Sequence, residues 1–147
     1  LARFGIKGGR LSLYGAYERT SVLDPYTLRR RPFTGREYIE FTVTFRQDLG
    51  KFAWGVELEG ETPWTTYRLD ETDRIVEPIP DTSIFAEYRP SAKWMVTLGA
   101  RNVTDGAFLR HRTFYRPDRT QPLPYLAEDR VRNAHVIGYV TVKHIFG

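Results

Sequence analysis

The stretch Tyr38-Ile39-Glu40-Phe41-Thr42-Val43-Thr44-Phe45-Arg46 decides the fold. Ile39, Phe41, Val43 and Phe45 fall on one side of an extended chain. Tyr38, Glu40, Thr42, Thr44 and Arg46 fall on the other. A period of two is the mark of a β-strand with one apolar face. After Gln47-Asp48-Leu49-Gly50-Lys51, read as a turn, the pattern resumes: Phe52, Trp54, Val56 and Leu58 alternate with Ala53, Gly55, Glu57 and Glu59.

The alternation extends outward in both directions. Between Arg10 and Thr20, Leu11, Leu13 and Tyr17 oppose Ser12, Tyr14 and Glu18. Ile84, Ala86 and Tyr88 oppose Ser83, Phe85, Glu87 and Arg89. Trp94, Val96, Leu98 and Ala100 oppose Met95, Thr97, Gly99 and Arg101. In the last strand, about His135 to Phe146, Val136, Val140, Val142 and Phe146 oppose Ile137, Tyr139, Thr141 and Lys143. A stub around Phe4 and Ile6 reads as the end of an earlier strand. No adequate stretch follows a period of 3.6. The chain is therefore expected to be all-β, with antiparallel strands in up-and-down order. Apolar pairs are expected across its hairpins: Phe45 with Phe52, Val43 with Trp54, Tyr88 with Trp94 and Ala86 with Val96.

The connections alternate in length. Lys7–Gly9, Gln47–Lys51 and Pro90–Ala92 are short; Ser21–Arg36, Thr62–Asp81 and Asp105–Asn133 are long. In an up-and-down sheet, alternate connections share a rim. One rim then carries tight turns and the other long polar loops, as in outer-membrane barrels. Composition agrees. The 147 residues are 14% aromatic, yet mean hydropathy is -0.46. No apolar run approaches the roughly 18 residues of a membrane helix. A spanning barrel needs only alternate residues apolar. Phe45, Phe52, Trp54, Tyr88, Trp94 and Phe146 all lie beside short turns or the C-terminus, where an interfacial aromatic girdle would sit. Alternation alone also admits a self-contained small outer-membrane barrel, or a soluble lipocalin-like barrel with its apolar face inward.

The final third resembles the C-terminal end of TonB-dependent outer-membrane receptors. Ala100-Arg101-Asn102-Val103-Thr104-Asp105 is similar to that family's Asn-Leu-x-Asp strand end, with Val for Leu. A long loop and a closing strand to Phe146 follow in the family's order. Tyr67-Arg68-Leu69-Asp70 and the arginine-rich stretch Arg110–Arg119 are similar less specifically. The resemblance implies a plugged barrel of about 22 strands, so residues 1–147 would be a C-terminal barrel segment of about six complete strands plus the N-terminal stub. Leu1–Gly5 has no signal-peptide pattern, and the chain is expected to be a piece of something longer or a mature product lacking its start. The implied function is the wall and extracellular loops of an outer-membrane importer of a ferric siderophore or similarly scarce nutrient. Its implied partners are membrane lipid and lipopolysaccharide, the rest of the barrel, a plug, and TonB through the missing N-terminal part.

Signals for bond chemistry are weak, and the expectation is a chain that is not an enzyme and carries no cofactor. There is no cysteine, and His111, His135 and His144 lack metal-ligand spacing. Glu57, Glu59 and Glu61 share a strand face and read as solvated lumen residues. Neither a nucleophile elbow nor a phosphate-binding glycine loop occurs. The net charge of +4 is carried largely by arginines assigned to the long loops: Arg29, Arg30, Arg31, Arg110, Arg112, Arg116, Arg119, Arg130 and Arg132. Basic residues in loops between amphipathic strands argue against nucleic-acid binding. Lipopolysaccharide phosphates or an anionic small molecule suit the guanidinium fork equally. Arg110, Arg112, Arg116 and Arg119 are the candidates for such a ligand, expected on the rim as exposed charges.

Overall fold

The structure is a computed structural model that describes residues 6–146. All its regular structure is antiparallel β, with no helix among the described residues. Of the N-terminal stub expected around Phe4 and Ile6, Phe4 falls outside the described residues, and Ile6 is not in a strand.

Six strands form the main sheet: β1 (Gly9–Tyr17), β4 (Ile39–Leu49), β5 (Phe52–Glu61), β8 (Asp81–Ser91), β9 (Trp94–Arg101) and β12 (Ile137–His144), paired in that order. Two further strands, β2 (Val22–Leu23) and β3 (Arg30–Arg31), make a short hairpin between β1 and β4. The main sheet is open, with β1 and β12 as its edges.

The long connections are not irregular loops. Thr62–Asp81 contains β6 (Trp64–Tyr67) and β7 (Glu71–Val76); Asp105–Asn133 contains β10 (Ala107–Phe114) and β11 (Leu126–Asn133). These pair in the order β11-β10-β7-β6 as a second, four-stranded sheet. Each of its strands continues a strand of the main sheet after a short break. The break is Thr62 and Pro63 between β5 and β6, 77–80 between β7 and β8, 102–106 between β9 and β10, and 134–136 between β11 and β12. The prolines at positions 63, 78 and 80 help explain the interruptions, because proline cannot donate to a ladder.

The face assignment read from the alternation holds, but the register differs. Phe45 lies opposite Val56, Val43 opposite Leu58, Tyr88 opposite Val96 and Ala86 opposite Leu98. The cause is tighter turns than expected. Only Gly50 and Lys51 separate β4 from β5, with Gly50 at φ 67. That is the glycine-first form of a two-residue hairpin. At the β8–β9 turn, Ser91 pairs with Trp94, and the register shifts between Tyr88 and Ser91, around Pro90. Apolar rows therefore run across the sheet: Leu11, Phe45, Val56 and Ile84 form one, and Phe52, Tyr88, Val96 and Val142 another.

Neither face of the main sheet has a protein core above it. Ala53 is the sole buried apolar residue among the described ones, while Leu13 is 72% and Leu98 61% exposed. The molecule exposes 10462 Å², where a compact monomer of its 17.1 kDa exposes about 7,800 Å². Packing is instead within the sheet. On the polar face the Phe85 ring covers Gly55 and the Tyr139 ring covers Gly99. A Cβ on either glycine would lie 2.5 Å from the covering ring. On the apolar face Phe41 covers Gly60 in the same way, at 2.6 Å. These are direct cross-strand pairs, in which the ring fills the space the missing side chain leaves.

Gly55→Ala is expected to destabilise the sheet by about 1–3 kcal/mol, because Phe85 must leave its rotamer. Gly138→Ala is the control: no atom lies within 4 Å of the added Cβ, and it should be nearly neutral. Urea midpoints in detergent check both. Equal midpoints for the two variants would refute the ring-over-glycine account.

Candidate functional site

The aromatic residues singled out in the sequence interlock on the apolar face. Phe45 and Trp54 lie 5.1 Å apart between ring centroids, and Phe52 stacks on Tyr88 at 4.8 Å. His144 sits between Trp94 and Phe146, at 4.2 Å and 4.4 Å. The histidine therefore continues the aromatic band.

Asn102 and Asp105 form a joint between the two sheets. Asn102 adopts φ 50 and Asp105 φ 51, the left-handed region that Asn and Asp tolerate best among residues with a Cβ. The Asn102 carboxamide accepts from Gly106 N–H at 2.9 Å and donates to Gly106 C=O at 3.1 Å and His135 C=O at 3.3 Å. Its own N–H donates to Asp81 Oδ1 at 3.1 Å, and Thr104 Oγ1 donates to Pro80 C=O at 3.2 Å. The buried Asn102 side chain thus ties the 102–106 break to the 134–136 break, while the Asn102 N–H and Thr104 tie it to Asp81 and Pro80.

Three of the four ligand-candidate arginines are not exposed rim charges. Arg110 makes a bidentate pair with Asp73, at 2.8 and 2.6 Å. Arg112 donates to Glu71 at 2.6 Å and to Glu128 at 3.3 Å. Arg119 is buried and donates to Asp24 at 2.7 Å and to Arg68 C=O. Only Arg116 lacks a carboxylate partner among the described residues; it lies over the Tyr125 ring at 5.0 Å. The correction follows from the strands. Pairing β10 with β7 places Asp73 opposite Arg112 and Glu71 opposite Phe114, so each carboxylate is diagonal to the arginine it binds. Hydrogen bonds from Arg112 hold the Glu71 carboxyl below its ordinary range, and those from Arg110 do the same for Asp73, against burial in both cases.

The most enclosed group is Asp24, 1% exposed, which sequence reasoning passed over. Its Oδ1 accepts from Tyr26 N–H at 2.9 Å and Thr27 N–H at 3.1 Å, closing the Asp-Pro-Tyr-Thr turn. Its Oδ2 accepts from Arg31 at 2.6 Å and Arg119 at 2.7 Å. Burial pushes this carboxyl up, but the two guanidiniums and two amides outweigh burial and hold it far below the carboxylate range. Arg31 lies over the Tyr67 ring at 4.4 Å, and Arg119 lies between the Tyr26 and Tyr67 rings at 5.3 and 5.5 Å. The node joins the β2–β3 hairpin, the β6–β7 turn and the β10–β11 connection. The sequence signal for it was Asp24-Pro25, a turn initiator.

Beside this node lies a cleft of about 400 Å³, lined by Tyr26, Arg29, Arg31, Tyr67, Tyr115 and Arg119 among others. Arg29 has no carboxylate partner among the described residues. No group of three His, Cys, Asp or Glu able to hold a metal occurs among the described residues. No family model, curated protein or solved structure matches the chain.

Two outcomes are expected. Asn102→Ala should cost about 2–4 kcal/mol, from three lost side-chain hydrogen bonds and the left-handed backbone. Hydrogen exchange should then rise at 103–106 and 134–136; unchanged protection there would refute the joint. For pH, folded-state pKa values of Asp24, Glu71 and Asp73 are depressed. Their contribution is full above the ordinary carboxylate values near ~4 and is withdrawn as pH falls through the lower folded values. Amide protection of β7 and β10 should be level from neutral pH to about 5 and drop below about 4. A loss completed above pH 5 would contradict this.

Proposed function

We propose that the chain is a wall segment, with its cell-surface hairpins, of a bacterial outer-membrane importer of the TonB-dependent type. The carrying observation is the amphipathic six-stranded sheet, whose apolar face has no protein cover. Its strands are 8 to 11 residues long, against the roughly 9–11 residues a tilted strand needs to cross a bilayer. Lipid is the natural cover for such a face, and the aromatic band beside the tight turns suits the periplasmic interface. The opposite face carries Glu57, Glu59 and the bidentate Arg46–Glu87 pair, at 2.9 and 2.7 Å, as a wet lumen would. The β1 and β12 edges require further strands of the same barrel, because unpaired backbone groups are not tolerated in lipid. A plug and TonB would supply gating and energy.

This reading distinguishes itself from a soluble barrel, which would enclose Leu13, Leu98 and Val140. The β2–β3 hairpin and the four-stranded sheet would face the medium. Fractionation should place the protein in the outer membrane, released only by detergent, with trypsin added to intact cells cutting at Arg29 or Arg30 before any site in β4 or β5. Recovery in the soluble fraction without detergent would overturn the proposal. A gene encoding only about eight strands and no plug would replace the importer with a small self-contained barrel.

A further inference from the structure

We propose that the cleft beside Asp24 binds a small soluble ligand carrying an anionic group on an aromatic ring. The inference deepens the receptor reading above and rests on it for access to the cleft from the medium. Its size, about 400 Å³, lies within the roughly 300–1,000 Å³ of small-molecule sites. The charge balance of its lining is uneven. Asp24 supplies one negative charge and Arg29, Arg31 and Arg119 supply three positive ones, leaving a net +2. The Asp24 carboxylate is already shared by Arg31 and Arg119, and Arg31 Nη1 donates to the Pro32 C=O, so the unmatched charge sits at Arg29 and at Arg31 Nη2. A guanidinium pair of this kind takes a carboxylate or phosphate through charge-assisted hydrogen bonds.

The rest of the lining suits a ring. Tyr26 and Tyr67 are turned against Arg119 and Arg31, whereas Tyr115 has no ring or cation contact among the described residues. Its face is therefore the wall against which a ring can stack. Three separate stretches build the cleft: Asp24–Arg31, Tyr67–Thr72 and Tyr115–Pro122. Asp24 is a positioning residue here. Through Oδ2 it aims two arginines, and through Oδ1 it fixes the turn that carries Tyr26.

The same anionic chemistry is offered by lipopolysaccharide phosphates, and the test separates the two sources. The full protein, purified in detergent from its native membrane, is titrated calorimetrically with phenyl phosphate, inorganic phosphate and phenol. Phenyl phosphate should bind at least about tenfold more tightly than inorganic phosphate, and phenol should not saturate. Arg29→Ala, outside the Asp24 node, should weaken both phosphates by about tenfold. Tyr115→Ala should bring phenyl phosphate down to the inorganic phosphate value. Arg132→Ala, distant in sequence and not in the lining, should change nothing and controls for general charge. Absence of saturable binding, equal binding by wild type and Arg29→Ala, or displacement of phenyl phosphate by lipopolysaccharide micelles would each overturn the proposal. Fractionation of the same preparation reports on the membrane reading independently: a membrane protein that fails to bind refutes only the cleft, and a soluble protein that binds refutes only the barrel.

Discussion

The structure depends on one constraint: a single antiparallel sheet must satisfy its backbone sideways while its two faces meet different surroundings. Each strand of the main sheet pairs with its neighbours along its length, and the period of two then assigns every side chain to a face. With no second layer to bury a core, stability inside the sheet comes from cross-strand contacts. Rings over glycines, apolar rows and the Arg46–Glu87 bridge are all of this kind. The apolar face is left for whatever lies outside the chain.

The two sheets are one set of strands interrupted at a common level. At that level the ladder loses donors to proline and its geometry to left-handed residues at Asn102, Asp105 and His135. A break in one strand of a sheet leaves backbone groups unpaired in its neighbours. Breaks in adjacent strands are tolerable where a side chain replaces the lost bonds. Asn102 has the required inventory, with two donors and an acceptor on a short stem, and it spends them on the backbone of its own break at Gly106 and of the neighbouring one at His135. This is a physical reason for an asparagine at a strand end followed by a small-polar turn and Asp105. It operates whether or not the chain belongs to the family the motif resembles.

How much of this was legible follows from the chemistry of each strand. Strands β4, β5, β8, β9 and β12 alternate apolar with polar residues and could be read directly. Strands β7 and β10 could not. Glu71-Thr72-Asp73-Arg74-Ile75-Val76 and Phe108-Leu109-Arg110-His111-Arg112-Thr113 hold charge on the face where an apolar stripe was sought. Their stability as strands comes from Arg110 meeting Asp73 and Arg112 meeting Glu71 across 37 and 41 residues of sequence. Such complementarity is invisible until the register is known. The register itself was misjudged at both readable hairpins, because the length of a turn rests on the positive φ of Gly50 and on the irregularity near Pro90. Face and strand type survived the slip because it was by whole pairs of residues. Asp24 was hidden for another reason: its partners are 7 and 95 residues away.

The ion pairs outside the main sheet are not equivalent, and burial separates them. Arg130–Glu128 and Arg68–Glu71 each expose more than half of the arginine side chain, so water and salt compete for the charge and the pair contributes little. At Asp24 both the carboxylate and Arg119 are withdrawn from solvent, with side chains 1% and 4% exposed. Removing Asp24 leaves the buried Arg119 guanidinium without its carboxylate, a loss far greater than the pair's net worth. Asp24, Arg31 and Arg119 therefore act as a single unit that is assembled or absent. Since its members come from two separate stretches of chain, and Arg119 also binds the Arg68 C=O of a third, its assembly fixes the cleft walls together, and the geometry around Arg29 is set by a buried carboxylate rather than by the exposed charges of the rim.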